Sequence, residues 1–235
     1  MLMESHEKGR DIDPALKDLF KKWKHEQSCE PYMSALKTFP KSGIKTVVTY
    51  EIFKESFCPD GFTSINGYYQ AETPKIEVLF VLKEAHLVEL ESKQLKPETD
   101  DIFWFNRPQL DRAKVLYRKR IKTILDILKE EQMISPDCNA DTPFGYMNIN
   151  KRGGYARTNY SSLKSYAEYY YNLINEQIDI MQPKLIICCG CYDAFMKAYS
   201  KQEKRLPVYN VYHPSARGDY EEKAGKMLKK QLRQK

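Results

Sequence analysis

Two short, almost uninterrupted apolar runs constrain this chain more than any other feature. Ile76-Glu77-Val78-Leu79-Phe80-Val81-Leu82 and Lys184-Leu185-Ile186-Ile187-Cys188-Cys189-Gly190 lack the alternation of a half-exposed strand and the length of a usual helix. Runs of this kind mark strands covered on both faces, as in parallel sheets whose crossovers are helices. Helical patterns flank them. Asp13-Pro14 opens a helix to about Gln27, with Leu16, Leu19, Phe20 and Trp23 at helical spacing. Further helices are expected near 111–132, 162–181, 192–200 and from Gly218 to the end, and further strands at Tyr146–Asn150 and Pro207–Tyr212. The alternation predicts a single α/β domain, residues 74–235, with a central four-stranded parallel sheet flanked by helices and right-handed crossovers. Residues 1–73 read as an N-terminal helical arm packed on it, with a candidate strand at Thr46–Tyr50 and a turn at Cys58-Pro59-Asp60-Gly61.

A chain of 235 residues can bury a substantial core. Its net charge of +6 leans mildly toward a polyanionic partner. The basic residues are clumped, at Arg112 to Lys122, Lys151-Arg152, Lys201 to Arg205 and Lys223 to Lys235. Seventeen tyrosines and ten phenylalanines add planar groups on which bases can stack, although most aromatics serve the core. No apolar run approaches the roughly 18–20 residues that span a bilayer. Met1 to Lys17 holds no apolar signal core, so a cytoplasmic, monomeric protein is expected. The six cysteines show no paired C-x-x-C spacing. Cys188, Cys189 and Cys191 read as small buried apolar residues, and no metal or cofactor is expected.

Three of the expected strands end in polar residues. The first ends on Lys83-Glu84-Ala85-His86, the second on Asn148-Ile149-Asn150-Lys151, and the fourth on His213-Pro214-Ser215. Parallel strands bring these ends to one edge, where open α/β sheets bind ligands. A carboxylate, an amide and an imidazole can converge there. Asn148 inside an apolar strand needs partners, because an unpaired buried amide costs about 1–3 kcal/mol. Asn150 is its alternative one pleat further on. Other roles stay open: His213 as a polarising group or a cap for a neighbouring carbonyl, and Glu84 as a site residue or an ion-pair partner of Lys83, Lys151 or Arg152. Trp104, within Phe103-Trp104-Phe105, reads equally as core or stacking residue, and Lys151-Arg152-Gly153-Gly154 as a phosphate-binding turn or a solvated loop.

From Pro74 to Arg217 the order and spacing of these motifs resemble the uracil-DNA glycosylase superfamily. Its members share a four-stranded parallel sheet, a first-strand motif such as G-E-A-P-G or G-Q-D-P-Y, a second strand ending in a base-reading asparagine, and a late H-P-S loop. The counterparts are Lys83-Glu84-Ala85-His86, Asn148 and His213-Pro214-Ser215-Ala216-Arg217, with Gln182–Gly190 as the proline-led third strand. The resemblance implies DNA as partner, extrusion of uracil or another deaminated base, and hydrolysis of its N-glycosidic bond. It implies that Asn148 reads the base and that Trp104 or Phe105 stacks on it. Glu84 or His86 would position water, His213 would support the departing base, and Lys151, Arg152, Ser215 and Arg217 would touch the DNA backbone. Lys83 replaces the motif's glycine, Ala85 stands where G-Q-D-P-Y enzymes carry a water-activating aspartate, and His86-Leu87 replace Pro-Gly or Pro-Tyr. The G-E-A-P-G branch often carries a four-cysteine cluster, and the cysteines here are not so spaced. These departures favour, as the alternative, a non-catalytic nucleic-acid or nucleotide-binding protein on the same fold; a small-molecule hydrolase is the third reading.

Overall fold

Strict alternation along the buried strands divides their side chains between two helical layers. The computed structural model describes residues 14–29, 57–62, 76–89, 95–97, 112–138, 144–154, 158–202 and 205–234. Its elements run α1 (Pro14–Ser28), β1 (Gly61–Phe62), β2 (Val78–Glu89), β3 (Leu95–Pro97), α2 (Arg112–Glu130) and β4 (Gly145–Gly154). They continue with α3 (Tyr160–Tyr169), α4 (Tyr171–Met181), β5 (Leu185–Cys189), α5 (Tyr192–Tyr199), β6 (Val208–Val211) and α6 (Tyr220–Leu232). Four strands form an all-parallel sheet in the order β4-β2-β5-β6. Short antiparallel additions come from β1, on β4, and β3, on the far end of β2. The expected α/β architecture is present, and among the described residues no helix is long and apolar enough to cross a membrane.

Leu79, Val81, Met147, Ile149, Ile186 and Cys188 face one layer, where they meet buried residues of α1, α3, α4 and α5. Val78, Phe80, Leu82, Tyr146, Ile187, Cys189, Tyr209 and Val211 face the other, packed by α2 and α6. Cys188, Cys189 and Cys191 are buried, and burial pushes the Cys188 and Cys189 thiols well above their usual range. Helix α1 is integral to the first layer. Its Leu16, Leu19, Phe20 and Trp23 sit in the same cluster as the sheet, and Trp23 Nε1 donates to Tyr166 Oη at 3.0 Å. The candidate strand Thr46–Tyr50 lies outside the described residues.

Two features differ from the sequence reading. The helix expected over 162–181 is two, α3 and α4, meeting at Tyr170 with φ −95° and ψ 24°. The Tyr170 ring packs 4.5 Å from that of Tyr166 and 6.0 Å from Trp23, and these contacts hold the bend. Strands β2 and β4 also run past their apolar segments. They pair on through Glu84 with Asn150, then Ala85 with Gly153 and His86 with Gly154. The jump leaves Lys151 and Arg152 as extra residues in a bulge. Polar composition suggested that both strands stop earlier, but mutual pairing supplies the backbone hydrogen bonds that extend them.

Candidate functional site

The carboxyl edge of the parallel sheet gathers the polar residues, and its best-defined part is the loop after β6. Pro214 follows His213, removing a backbone donor and holding His213 extended. Three loop carbonyls are held from below. Arg120, 6% exposed on α2, donates from Nη1 to Pro214 O and, at 2.8 Å, to Ala216 O. Its guanidinium lies 4.6 Å over the Tyr220 ring, and Tyr220 Oη donates to Tyr212 O at 3.0 Å. Burial pushes the Tyr220 phenol far above its ordinary range, so it stays a donor. From the other side, Gly190 has φ 68°, and a Cβ there would meet His213 Cβ and N at 3.2 Å. Only glycine fits that backbone and that spacing.

The clamp fixes the chemistry of His213. Ser215 N–H donates to His213 Nδ1 at 3.2 Å, with Ser215 Oγ 2.6 Å from the same nitrogen. Nδ1 therefore carries the lone pair, and the neutral ring holds its proton on Nε2. Desolvation, helped by the positive charge of Lys83, lowers the imidazole pKa from 6.5 to about 3. Tyr117 of α2 stands edge-on to the ring, centroids 5.6 Å apart, with Oη 3.4 Å from Nε2. The same Oη lies 3.3 Å from Nδ1, so Tyr117 is within hydrogen-bond reach of both ring nitrogens, and its contact with Nε2 is a long one.

Across the sheet, Glu84 and Asn150 are register partners on the α2 side. Asn150 Oδ1 accepts Arg152 N–H at 3.0 Å, so its Nδ2 turns to Glu84 Oε2 at 3.2 Å. The carboxylate is thus oriented by an amide. One pleat earlier lies Asn148, 4% exposed, opposite Leu82 and on the same side. Its backbone N–H donates to Asp60 Oδ2 at 2.6 Å, while its side-chain amide makes no hydrogen bond among the described residues. The β4 and β6 backbones stand three strand spacings apart, about 14 Å. Asn148, Glu84 and His213 thus bracket one stretch of the edge from the same side.

Lys151 and Arg152 are not in this group, which corrects the reading of them as backbone-binding cations. Both are fully buried on the opposite side of the sheet. The bulge turns two successive side chains to one side. Lys151 Nζ lies 2.6 and 2.7 Å from the Asp60 carboxylate and 4.9 Å over the Trp23 ring, and Arg152 lies 4.9 Å over Tyr166. Gln177 Nε2 completes the cluster at 2.7 Å from Asp60 Oδ1. Desolvation lowers the Lys151 pKa, against the opposing pull of Asp60. A cation sealed this way cannot meet a phosphate.

Ser215 and Arg217 lie exposed on the loop, where a backbone contact requires them. His86 lies in β2 paired with Gly154, and its side chain is outside the description, as are Trp104 and Phe105 altogether. Among the described residues no group of three or more His, Cys, Asp or Glu is placed to hold a metal ion. Sequence reasoning missed Arg120, Tyr117 and Tyr220 on the loop, and Asp60 and Gln177 beneath β4. Helical spacing was the available signal for Arg120, which stands four residues before Ile124 on the inner face of α2. Comparison with protein-family models and with curated proteins finds no match to this chain.

Proposed function

We propose that this edge binds a deaminated base extruded from DNA and hydrolyses its N-glycosidic bond. The observation that supports the reading is the Ser215 N–H donated to His213 Nδ1, which leaves Nε2 as the ring's donor, on the same side of the sheet as the Asn148 amide that makes no hydrogen bond among the described residues. A carboxamide offers a donor and an acceptor on one plane, which suits the edge of a pyrimidine. The span of about 14 Å between the two backbones is filled by a base, its hydrogen bonds and the two side chains. As the C1′–N bond breaks, its electron pair passes to the base, and negative charge grows on a ring carbonyl. A neutral N–H donor stabilises that charge without first giving up a proton to solvent. Glu84, oriented by Asn150, holds the attacking water and offsets the positive charge of the sugar. Water oxygen bonds to C1′, and its proton ends on the released base. Ser215 and Arg217 contact the DNA backbone, and no cofactor enters the reaction.

A second reading is a non-catalytic DNA-binding protein on the same scaffold. It is favoured by Ala85, which offers no carboxylate where an aspartate would activate water. Single-turnover excision separates the two readings, with excess protein and end-labelled oligonucleotides carrying uracil, hypoxanthine or xanthine. The enzyme reading expects alkali-sensitive breaks with wild type that disappear with Asn148→Ala. Intact strands from folded, DNA-binding wild type would leave the binding protein.

A further inference from the structure

The opposite side of the same edge carries a different set of groups. Alternation sends Lys83, next to Glu84, to the α3 side of β2. There its Nζ sits 5.2 Å over the ring of Tyr160, the first residue of α3. Tyr160 Oη donates to Gly190 O at 3.1 Å, which holds the ring at the edge. Tyr212, adjacent to His213, has its carbonyl held by Tyr220. Both Tyr160 and Tyr212 are nevertheless 48% exposed. They make up half of the exposed large hydrophobic residues of the described chain, the others being Leu116 and Tyr169. Two rings left in solvent, that of Tyr160 held by its hydroxyl with Lys83 over its face, need a reason, and neither is spent on the core.

We propose that this side of the edge, Tyr160 and Tyr212 with Lys83 and Arg217, is a stacking platform for single-stranded DNA flanking the extruded base. The inference rests on the DNA reading of the site and adds to it the strand state of the substrate. A base offers its π-face to a protein ring only when its neighbour in the stack is gone, so aromatic platforms select single strands over duplex. The cations and the overall charge of +6 complement the phosphates. The Tyr160 ring, already held through its hydroxyl, loses little freedom on binding.

Fluorescence anisotropy with a fluorescein-labelled oligothymidylate of about ten nucleotides, a length in the range of known single-strand sites, tests the platform. The same strand annealed to oligoadenylate serves as the duplex competitor. The single strand is expected to bind more tightly than the duplex. Tyr160→Ala and Tyr212→Ala should each weaken it by about 5- to 150-fold, the loss of one stacked base. Tyr160→Phe, which keeps the ring and gives up only its tether, should weaken binding far less than Tyr160→Ala, and Lys83→Gln should reduce the salt slope by about 0.7. Should Tyr160→Ala fail to fold, Tyr212→Ala decides, because its ring makes no hydrogen bond among the described residues. Duplex binding as tight as single-strand binding, or wild-type affinity in the folded alanine variants, overturns the platform. Excision by variants with unchanged strand affinity would refute the platform and leave the enzyme reading. Loss of strand affinity in a protein that releases no base would do the reverse.

Discussion

The two sides of β4 treat ionisable groups in opposite ways. Toward α1, Lys151 is sealed with Asp60, Gln177 and the faces of Trp23 and Phe20, and the carboxylate is met by three donors. Toward α2, Asn148 makes no side-chain hydrogen bond among the described residues, and across the sheet the Nε2 of His213 has only a long contact, 3.4 Å, with Tyr117 Oη. Burial alone therefore does not mark function. What separates the two is how charge is met: toward α1 the Lys151 ammonium and the Asp60 carboxylate neutralise each other inside the chain, whereas toward α2 a neutral amide and a neutral imidazole lie at the sheet's ligand-binding edge.

Removing a partner on the sealed side should have the largest effect. Asp60→Ala leaves the Lys151 ammonium buried and unpaired, and about 3–5 kcal/mol of stability should be lost in urea unfolding. The double variant Asp60→Asn, Lys151→Met should recover most of that loss, since an apolar replacement of both charges avoids the desolvation penalty. If the double variant is no more stable than Asp60→Ala, the pair is more than an anchor. Arg120→Met should cost less, about 1.5–3 kcal/mol, the range for hydrogen bonds to a charged group. It should also free the His213 ring, moving its titration toward 6.5. An unmoved titration would show that the clamp is dispensable. The smallest expected change is in wild type. Imidazole resonances of His213 should stay those of the neutral Nε2–H form from pH 8 down to about 4, titrating near 3. Because the folded pKa lies below the unfolded value of 6.5, the unfolded chain takes up the proton first. The His213 contribution to stability is therefore intact above pH 6.5 and is lost as pH falls toward 3.

The parallel sheet was legible because its strands carry their burial in composition: Val78 to Leu82 and Leu185 to Cys189 are apolar on both faces. The position of His213 just past a strand was legible from the apolar run that ends on His-Pro, whereas Asn148, expected near a strand end, lies within β4 because that strand runs on to Gly154. The Asp60–Lys151 pair was not, since it joins residues 91 apart and Asp60 lies in a segment whose proline and glycine read only as a turn. Alternation did offer a partial signal. Lys151 continues the parity of Met147 and Ile149, which face α1, but the turn-like Gly153-Gly154 outweighed it. Arg152 could not have been placed by any periodicity, because the bulge that turns it inward breaks the period. The Arg120 clamp hid in a basic stretch that resembles a solvated helix face.

Gly190 joins the two sides of the edge. Its carbonyl holds Tyr160, its N–H donates to Val211 O at 2.7 Å, and its missing Cβ is the space in which His213 rests. One peptide thus serves as a shared wall, thin enough that neither room can be enlarged without moving the other. A side chain at this position would crowd the His213 backbone and Cβ at 3.2 Å, on the peptide whose carbonyl holds the phenol.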